Sequence, residues 1–153
     1  MCKRVISKWM RDFLIAHLSE IEKKKEDLLK KHYSDNMKDS IEFEESFKEY
    51  YEKVRNFINT AEIEDISIED ESPFVIIGSI VEVEDMEDNE THRYRIVLPY
   101  EKTTDKNMDC ASCISPLGKA LLLKTPRQRV NIRIPTGTMS YVINKITLPK
   151  TSA

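Results

Sequence analysis

The chain has 153 residues, of which 40% are apolar and 33% are charged, with a net charge of -3. That length suits one large domain or two small ones. No run of eighteen apolar residues occurs, and charged residues alternate with bulky ones in the N-terminal stretch. We therefore expect neither a membrane span nor a signal peptide. We expect a cytoplasmic location. Cys2, Cys110 and Cys113 make an odd total, which argues against a disulfide framework.

The small net charge hides three blocks of different sign. Residues 1–33 carry a net charge of +4, residues 34–90 carry -15, and residues 91–153 carry +8. Because acidic side chains repel nucleic-acid phosphates, sequence-specific DNA binding by the middle block is not expected. An acidic block suits a cation or a basic partner surface, and a merely solvated face explains it equally well.

Two helices with a shared apolar seam are predicted over about residues 5–32 and 39–61. Apolar residues recur there at spacings of three and four, a heptad pattern that Lys25 interrupts. The residues between the helices are rich in Ser, Asp and Asn, which favour turns and N-caps, so we expect an antiparallel pair with an exposed tip. The seam consists of Met10, Leu14, Leu18, Ile21, Leu28 and His32, then Phe43, Phe47, Tyr50, Val54, Phe57 and Ala61.

Beyond residue 61 the pattern becomes that of β-strands. Residues 74–86 and 92–100 are rich in β-branched and aromatic side chains and predict one strand pair. Residues 129–135 and 138–149 predict a hairpin around the turn Thr136-Gly137.

A short apolar helix, residues 115–124, is predicted between these strand pairs. Ser115 is a natural N-cap, Pro116 suits the first helical position, and Gly118 permits a close approach to the strands. The predicted fold class is therefore α+β, with a helical hairpin over residues 1–61 and an antiparallel sheet with one helix over residues 62–153.

Several phrases of this second part resemble the C-terminal domain of the Gre family of bacterial transcription elongation factors. They are SPLGKALLLK, then IPTG and MSYVINKITL, preceded by FVIIGSIVEVEDMEDNETHRYRIV. The resemblance covers about residues 61–148, and a helical hairpin precedes it as in the family. It implies a coiled-coil finger attached to an FKBP-like domain, with RNA polymerase as the partner. The globular part would dock at the rim of the polymerase secondary channel, and the finger would enter the channel. The polymerase-binding residues would be Ser115, Pro116, Leu117 and Lys119.

In family members that stimulate transcript cleavage, the finger tip carries Asp-x-x-Glu-Asn-Ala-Glu-Tyr. Asp39, Glu42 and Glu45 have the same spacing here and lie outside the seam. The resemblance implies that Asp39 and Glu42 assist the polymerase Mg²⁺, because hard cations take carboxylate oxygens, with Glu45 in support. No cofactor and no stably bound metal of the chain's own is expected. Helix-start chemistry, with Asp39 or Ser40 as the cap, explains the same acids equally well.

Departures from the family pattern leave a second function open. The tip continues with Phe43-Glu44-Glu45-Ser46, and the second helix is shorter than the usual finger by roughly two to three turns. Ile114 stands before Ser-Pro where the family usually has a polar or acidic residue, and LKTPRQR replaces the usual Gly-Lys-x-x-Gly-Asp turn. The alternative is a Gre-fold regulator that occupies the channel without promoting cleavage.

Two other kinds of site have weaker support. Cys110 and Cys113 have the spacing of half a zinc site, but no second pair follows, so buried or edge-strand thiols are favoured. A prolyl isomerase would need an aromatic-lined pocket, and residues 74–148 offer only the four aromatics Phe74, Tyr94, Tyr100 and Tyr141. We therefore expect a monomeric accessory factor rather than an enzyme, with the active site on the polymerase.

Overall fold

The computed structural model describes residues 5–64, 72–101 and 108–148. The chain divides into two compact units, Met1–Glu69 and Asp70–Ala153. None of the helices in the described ranges is long and apolar enough to span a membrane.

The first unit is built on two long helices, α1 (Lys8–His32) and α2 (Met37–Thr60). Ring contacts between them run in opposite directions along the chain, since His17 meets Tyr50 while Tyr33 stacks on Phe43. The predicted antiparallel hairpin is therefore confirmed.

Most of the predicted seam is buried between the two helices. At the tip end, Leu28 is only half-buried and His32 is exposed, because Tyr33 fills that position instead, with its ring 5.2 Å from that of Phe43. Lys25 does not break the pairing, since its ammonium lies 5.3 Å from the centre of the Phe47 ring. The buried seam residues are Met10, Leu14, Leu18, Ile21, Phe43, Phe47, Tyr50, Val54 and Phe57.

The first helix begins later than predicted. Val5–Ser7 form a short strand, β1, which pairs in parallel with β2 (Glu62–Glu64). The Ser7 side chain accepts a hydrogen bond of 3.0 Å from the backbone N–H of Met10 and so caps α1 at its first residue, Lys8. The strand pair joins the chain entering α1 to the chain leaving α2.

In its described residues, 72–101 and 108–148, the second unit is a five-stranded sheet with one short helix, which confirms the α+β class. Burial alternates along β3, as expected for a strand with one face in the core. The strands lie in the order β5-β4-β3-β7-β6. They are β3 (Ile80–Asp85), β4 (Thr91–Val97), β5 (Asp109–Ser112), β6 (Arg129–Ile134) and β7 (Gly137–Thr147), and the helix is α3 (Pro116–Leu121).

The sheet is mixed, so the prediction of a purely antiparallel sheet is wrong. The strand β5 makes the sheet mixed, because it pairs in parallel with β4 from Tyr94↔Asp109 to Val97↔Ser112. Its sequence, Asp-Cys-Ala-Ser, lacks β-branched and aromatic residues, so no strand was predicted there.

Two predicted elements are shorter in the structure. The strand predicted over 74–86 begins only at Ile80, because Gly78 adopts φ 98° in a turn that precedes it. The helix predicted over 115–124 ends at Leu121, since Leu123 adopts φ 66° and its N–H donates to the Val75 carbonyl at 2.8 Å.

Candidate functional site at the hairpin tip

The tip of the hairpin is shaped by a reciprocal cap at the start of α2. The Asp39 backbone N–H donates to Asn36 Oδ1 at 3.2 Å, and Asn36 Nδ2 donates to Asp39 Oδ2 at 2.8 Å. Asn36 is therefore the N-cap, and the expectation of Asp39 or Ser40 in that role is wrong. The Asp39 carboxylate is engaged by helix-start chemistry.

The three predicted tip acids share the exposed side of α2. Asp39, Glu42 and Glu45 are all exposed, whereas Phe43 between them is 2% exposed and points into the seam. Residues three apart on a helix rise by about 4.5 Å, so the carboxylates form a short ladder over the first turns. The structure thus leaves the three acids exposed along the first turns of α2, and their assistance to a polymerase Mg²⁺ stays a prediction.

An apolar pair at the same tip was missed by the sequence reasoning. Met37 is 78% exposed and Ile41, one turn further, is 49% exposed. Both lie one position away from the heptad seam, which is the signal that could have identified them. The exposed surface of the tip therefore includes apolar residues as well as carboxylates.

The second predicted group lies at the start of α3. Ser115 caps this helix, since its Oγ accepts from the Gly118 N–H at 3.1 Å and donates to the Ser112 carbonyl at 2.7 Å. Pro116 and Lys119 are exposed, and Ser115 and Leu117 are half-buried. The four residues predicted to bind the polymerase are thus adjacent and partly accessible, while the Ser115 hydroxyl already serves the fold.

Gly118 allows the close approach of α3 to β5 that its sequence position predicted. A Cβ at this residue would lie 1.9 Å from the Ser112 carbonyl oxygen. Leu121, on the same short helix, is completely buried. The Ser-Pro-Leu-Gly phrase is therefore explained locally by a cap, a first-turn proline and a glycine contact.

The two cysteines lie as the favoured interpretation expected. Cys110 is exposed on β5, an edge strand, and Cys113 is buried. Burial raises the pKa of the Cys113 thiol to about 12, so this thiol stays protonated. Among the described residues, neither belongs to a group of three or more converging metal-ligating side chains.

The four aromatics considered for a proline pocket are distributed differently. Phe74 and Tyr141 are buried in the core, Tyr94 is half-buried, and Tyr100 is 62% exposed. Buried rings that fill a core do not line an open cavity.

Comparison with known proteins connects these features to one family. The model of the C-terminal domain of the transcription elongation factor GreA/GreB matches residues 70–148. GreA of Clostridioides difficile is 33% identical over 117 residues, which cover 72% of each chain. GreA of Syntrophobacter fumaroxidans is 39% identical over 71 residues, 46% of this chain and 44% of that protein. The chain belongs to the GreA/GreB family of transcription elongation factors.

Solved structures with a similar fold include the GreA/GreB factor of Nitrosomonas europaea and the GreA factor homolog Gfh1 of Thermus thermophilus. The first aligns over 96% of this chain and 99% of its own, with 18% identity and a TM-score of 0.47. The second aligns over 95% and 99%, with 19% identity and a TM-score of 0.41. For several GreA relatives, the sequence match spans only about half of the relative's length.

Proposed function

We propose that this protein binds a bacterial RNA polymerase at its secondary channel and stimulates cleavage of backtracked nascent RNA. The observation that carries the proposal is the exposed carboxylate ladder Asp39, Glu42 and Glu45 at the apex of an antiparallel hairpin, in a chain of the Gre family. The protein acts as a monomeric cytoplasmic accessory factor, and the reaction takes place at the polymerase active centre.

The chemistry of this step follows from the carboxylates. A second Mg²⁺ in a two-metal site stabilises the attacking oxygen, and it binds oxygen ligands in octahedral geometry. Asp39 and Glu42 would supply carboxylate oxygens to that ion and orient the attacking water, and Glu45 would support them. The 24 residues of α2 span about 36 Å, which is the length of the hairpin that carries these acids at its tip.

A non-cleaving role in the same channel is the second candidate. The observation that favours it is the hydrogen bond of 2.8 Å from Asn36 to the Asp39 carboxylate, which commits one oxygen of that group to the helix cap. A tip held in this way occupies the channel and modulates the polymerase without supplying a metal ligand.

A transcript-cleavage assay on backtracked elongation complexes separates the two. We expect the wild-type protein to accelerate cleavage and the double variant Asp39→Ala/Glu42→Ala to lose this effect while retaining polymerase binding. The matched control, Glu49→Ala/Glu52→Ala, removes two acids at the same spacing about 15 Å further along α2 and should behave as wild type. Binding without cleavage by the wild type would establish the non-cleaving role, and no binding would overturn both.

In this proposal, the second unit binds the polymerase through α3. Lys119 is exposed on α3, whereas Ser115 has a structural hydrogen bond to Gly118. Because exposed interfacial charges contribute modestly, Lys119→Ala should weaken polymerase binding by about two- to tenfold, with a stronger effect at low salt. Lys145→Ala, which removes an exposed charge on β7, is the control. Equal affinities of the two variants would place the anchor elsewhere.

A further inference from the structure

A cluster of three metal-ligating side chains lies in the second unit, far along the chain from the tip acids. Ligand atoms of Asp85, Asp88 and His92 all lie within 4.8 Å of one another. Asp85 ends β3, Asp88 lies in the turn that follows, and His92 is the second residue of β4. The β3–β4 hairpin therefore folds these three residues together.

The cluster combines a buried carboxylate with an exposed one. Asp85 is only 8% exposed and points to the core face of the sheet, opposite Tyr141 in the register of β3 with β7. His92 is half-buried and Asp88 is exposed, so the cluster opens to solvent on one side. Burying a carboxylate is costly unless a cation or strong hydrogen bonds compensate its charge.

Within the described residues, no Lys or Arg forms an ion pair with either carboxylate, and His92 hydrogen-bonds neither of them. The three groups thus converge without bonding one another. Two ligands of one transition-metal ion, each bound at about 2.0–2.2 Å, can be up to about 4.4 Å apart. The ligand atoms of the cluster lie within 4.8 Å of one another, so they must move slightly closer for all three to share an ion.

Each ligand is also oriented by a neighbouring group. Asp85 Oδ1 accepts from the Glu87 N–H at 2.8 Å and Asp88 Oδ1 accepts from the Glu90 N–H at 2.9 Å, which leaves the second oxygen of each carboxylate for an ion. The His92 ring stands edge-on to the Tyr141 ring, with centroids 6.5 Å apart. Such outer contacts fix ligand orientation in metal sites.

We propose that Asp85, Asp88 and His92 form a binding site for a single divalent transition-metal ion of the Zn²⁺, Co²⁺ or Mn²⁺ class. An imidazole with two carboxylates favours these ions over Mg²⁺ and Ca²⁺, which prefer oxygen ligands alone. The bound ion fastens the β3–β4 turn to the core face of the sheet and keeps a water ligand on the exposed side. This site does not depend on the function proposed for the hairpin tip.

Titration of the full-length protein with Co²⁺, followed by visible absorption and by competition with Zn²⁺, tests the proposal. We expect one equivalent to bind, excess Mg²⁺ to leave it in place, and the melting temperature of the second unit to rise with metal. Asp88→Asn and His92→Gln should each weaken binding about tenfold or more. Both change accessible side chains, which avoids relying on buried Asp85.

Matched controls are available on the same turn and on the adjoining edge strand. Glu87→Gln removes an exposed acid outside the cluster and should bind Co²⁺ as the wild type does. Cys110→Ser tests whether the exposed thiol contributes a ligand, and it too should leave the spectrum unchanged. Absence of saturable binding, or equal binding by the wild type, Asp88→Asn and His92→Gln, would overturn the proposal.

Discussion

Asn36 and Asp39 bind each other reciprocally at the start of α2. The Asn36 side chain accepts from the Asp39 N–H at 3.2 Å and donates to the Asp39 carboxylate at 2.8 Å. The helix therefore begins at Met37, and the first predicted acid of the tip is held in a fixed orientation. This residue pair thus stabilises the start of α2 and also determines how available the Asp39 carboxylate is to another ligand.

The contribution of this cap to the stability of the hairpin is tested by replacing Asn36. Asn36→Ala should lower the free energy of unfolding of the hairpin by about 1 kcal/mol, because it leaves an N-terminal N–H without its side-chain acceptor, whereas Asn36→Gly should cost only a few tenths. Thermal and urea unfolding followed by far-UV circular dichroism measures both. Asn36→Asp, which keeps an acceptor, is the control. An Asn36→Ala protein as stable as Asn36→Asp would show that the cap contributes nothing.

The hairpin was predictable because its pattern is long. The apolar residues from Phe43 to Phe57 keep a heptad spacing, which places them all on one face of a helix. All five of these predicted residues are buried. The short strand β5 was not predictable, because its four polar or small residues carry no periodic signal. Its parallel pairing with β4 depends on tertiary contacts that no local spacing encodes.

The sites show the same division between local and non-local information. Asp39 and Glu42 belong to one helical turn, so their shared face follows from spacing alone. Asp85 and His92 are brought together by the register of β3 with β4, and Asp85 lies opposite Tyr141 of β7. Because these contacts are non-local, the strand pattern of residues 74–86 and 92–100 does not indicate the cluster.

The buried pair His17 and Tyr50 predicts a pH dependence for the first unit. His17 Nε2 and the Tyr50 hydroxyl oxygen lie 2.9 Å apart across the helix interface, and burial lowers the pKa of His17 from 6.5 to about 4. Between those pH values the unfolded chain binds a proton that the folded chain does not, so stability falls as pH falls. The loss should reach about 3 kcal/mol at pH 4.

The chain's one tryptophan makes this loss measurable. Trp9 lies in α1, so its fluorescence reports unfolding of the first unit rather than of the sheet. Urea unfolding at pH 7, 5.5 and 4 should give a steeper decline for the wild type than for His17→Gln, which keeps a hydrogen-bonding group without the titration. Parallel declines would mean that carboxylates, and not His17, set the acid sensitivity.

Gly118 gives a test in which local propensity and tertiary packing predict opposite signs. Alanine stabilises a helix interior by about 1 kcal/mol relative to glycine, so propensity alone predicts that Gly118→Ala is stabilising. The structure predicts the reverse, because a Cβ would lie 1.9 Å from the Ser112 backbone oxygen, which a side-chain rotation cannot relieve. We expect a loss on the order of 3 kcal/mol, measured by differential scanning calorimetry of thermal unfolding. Lys119→Ala, at the neighbouring exposed position, should change stability by no more than about 0.5 kcal/mol. A Gly118→Ala protein at least as stable as wild type would mean that α3 does not approach β5 as closely as described.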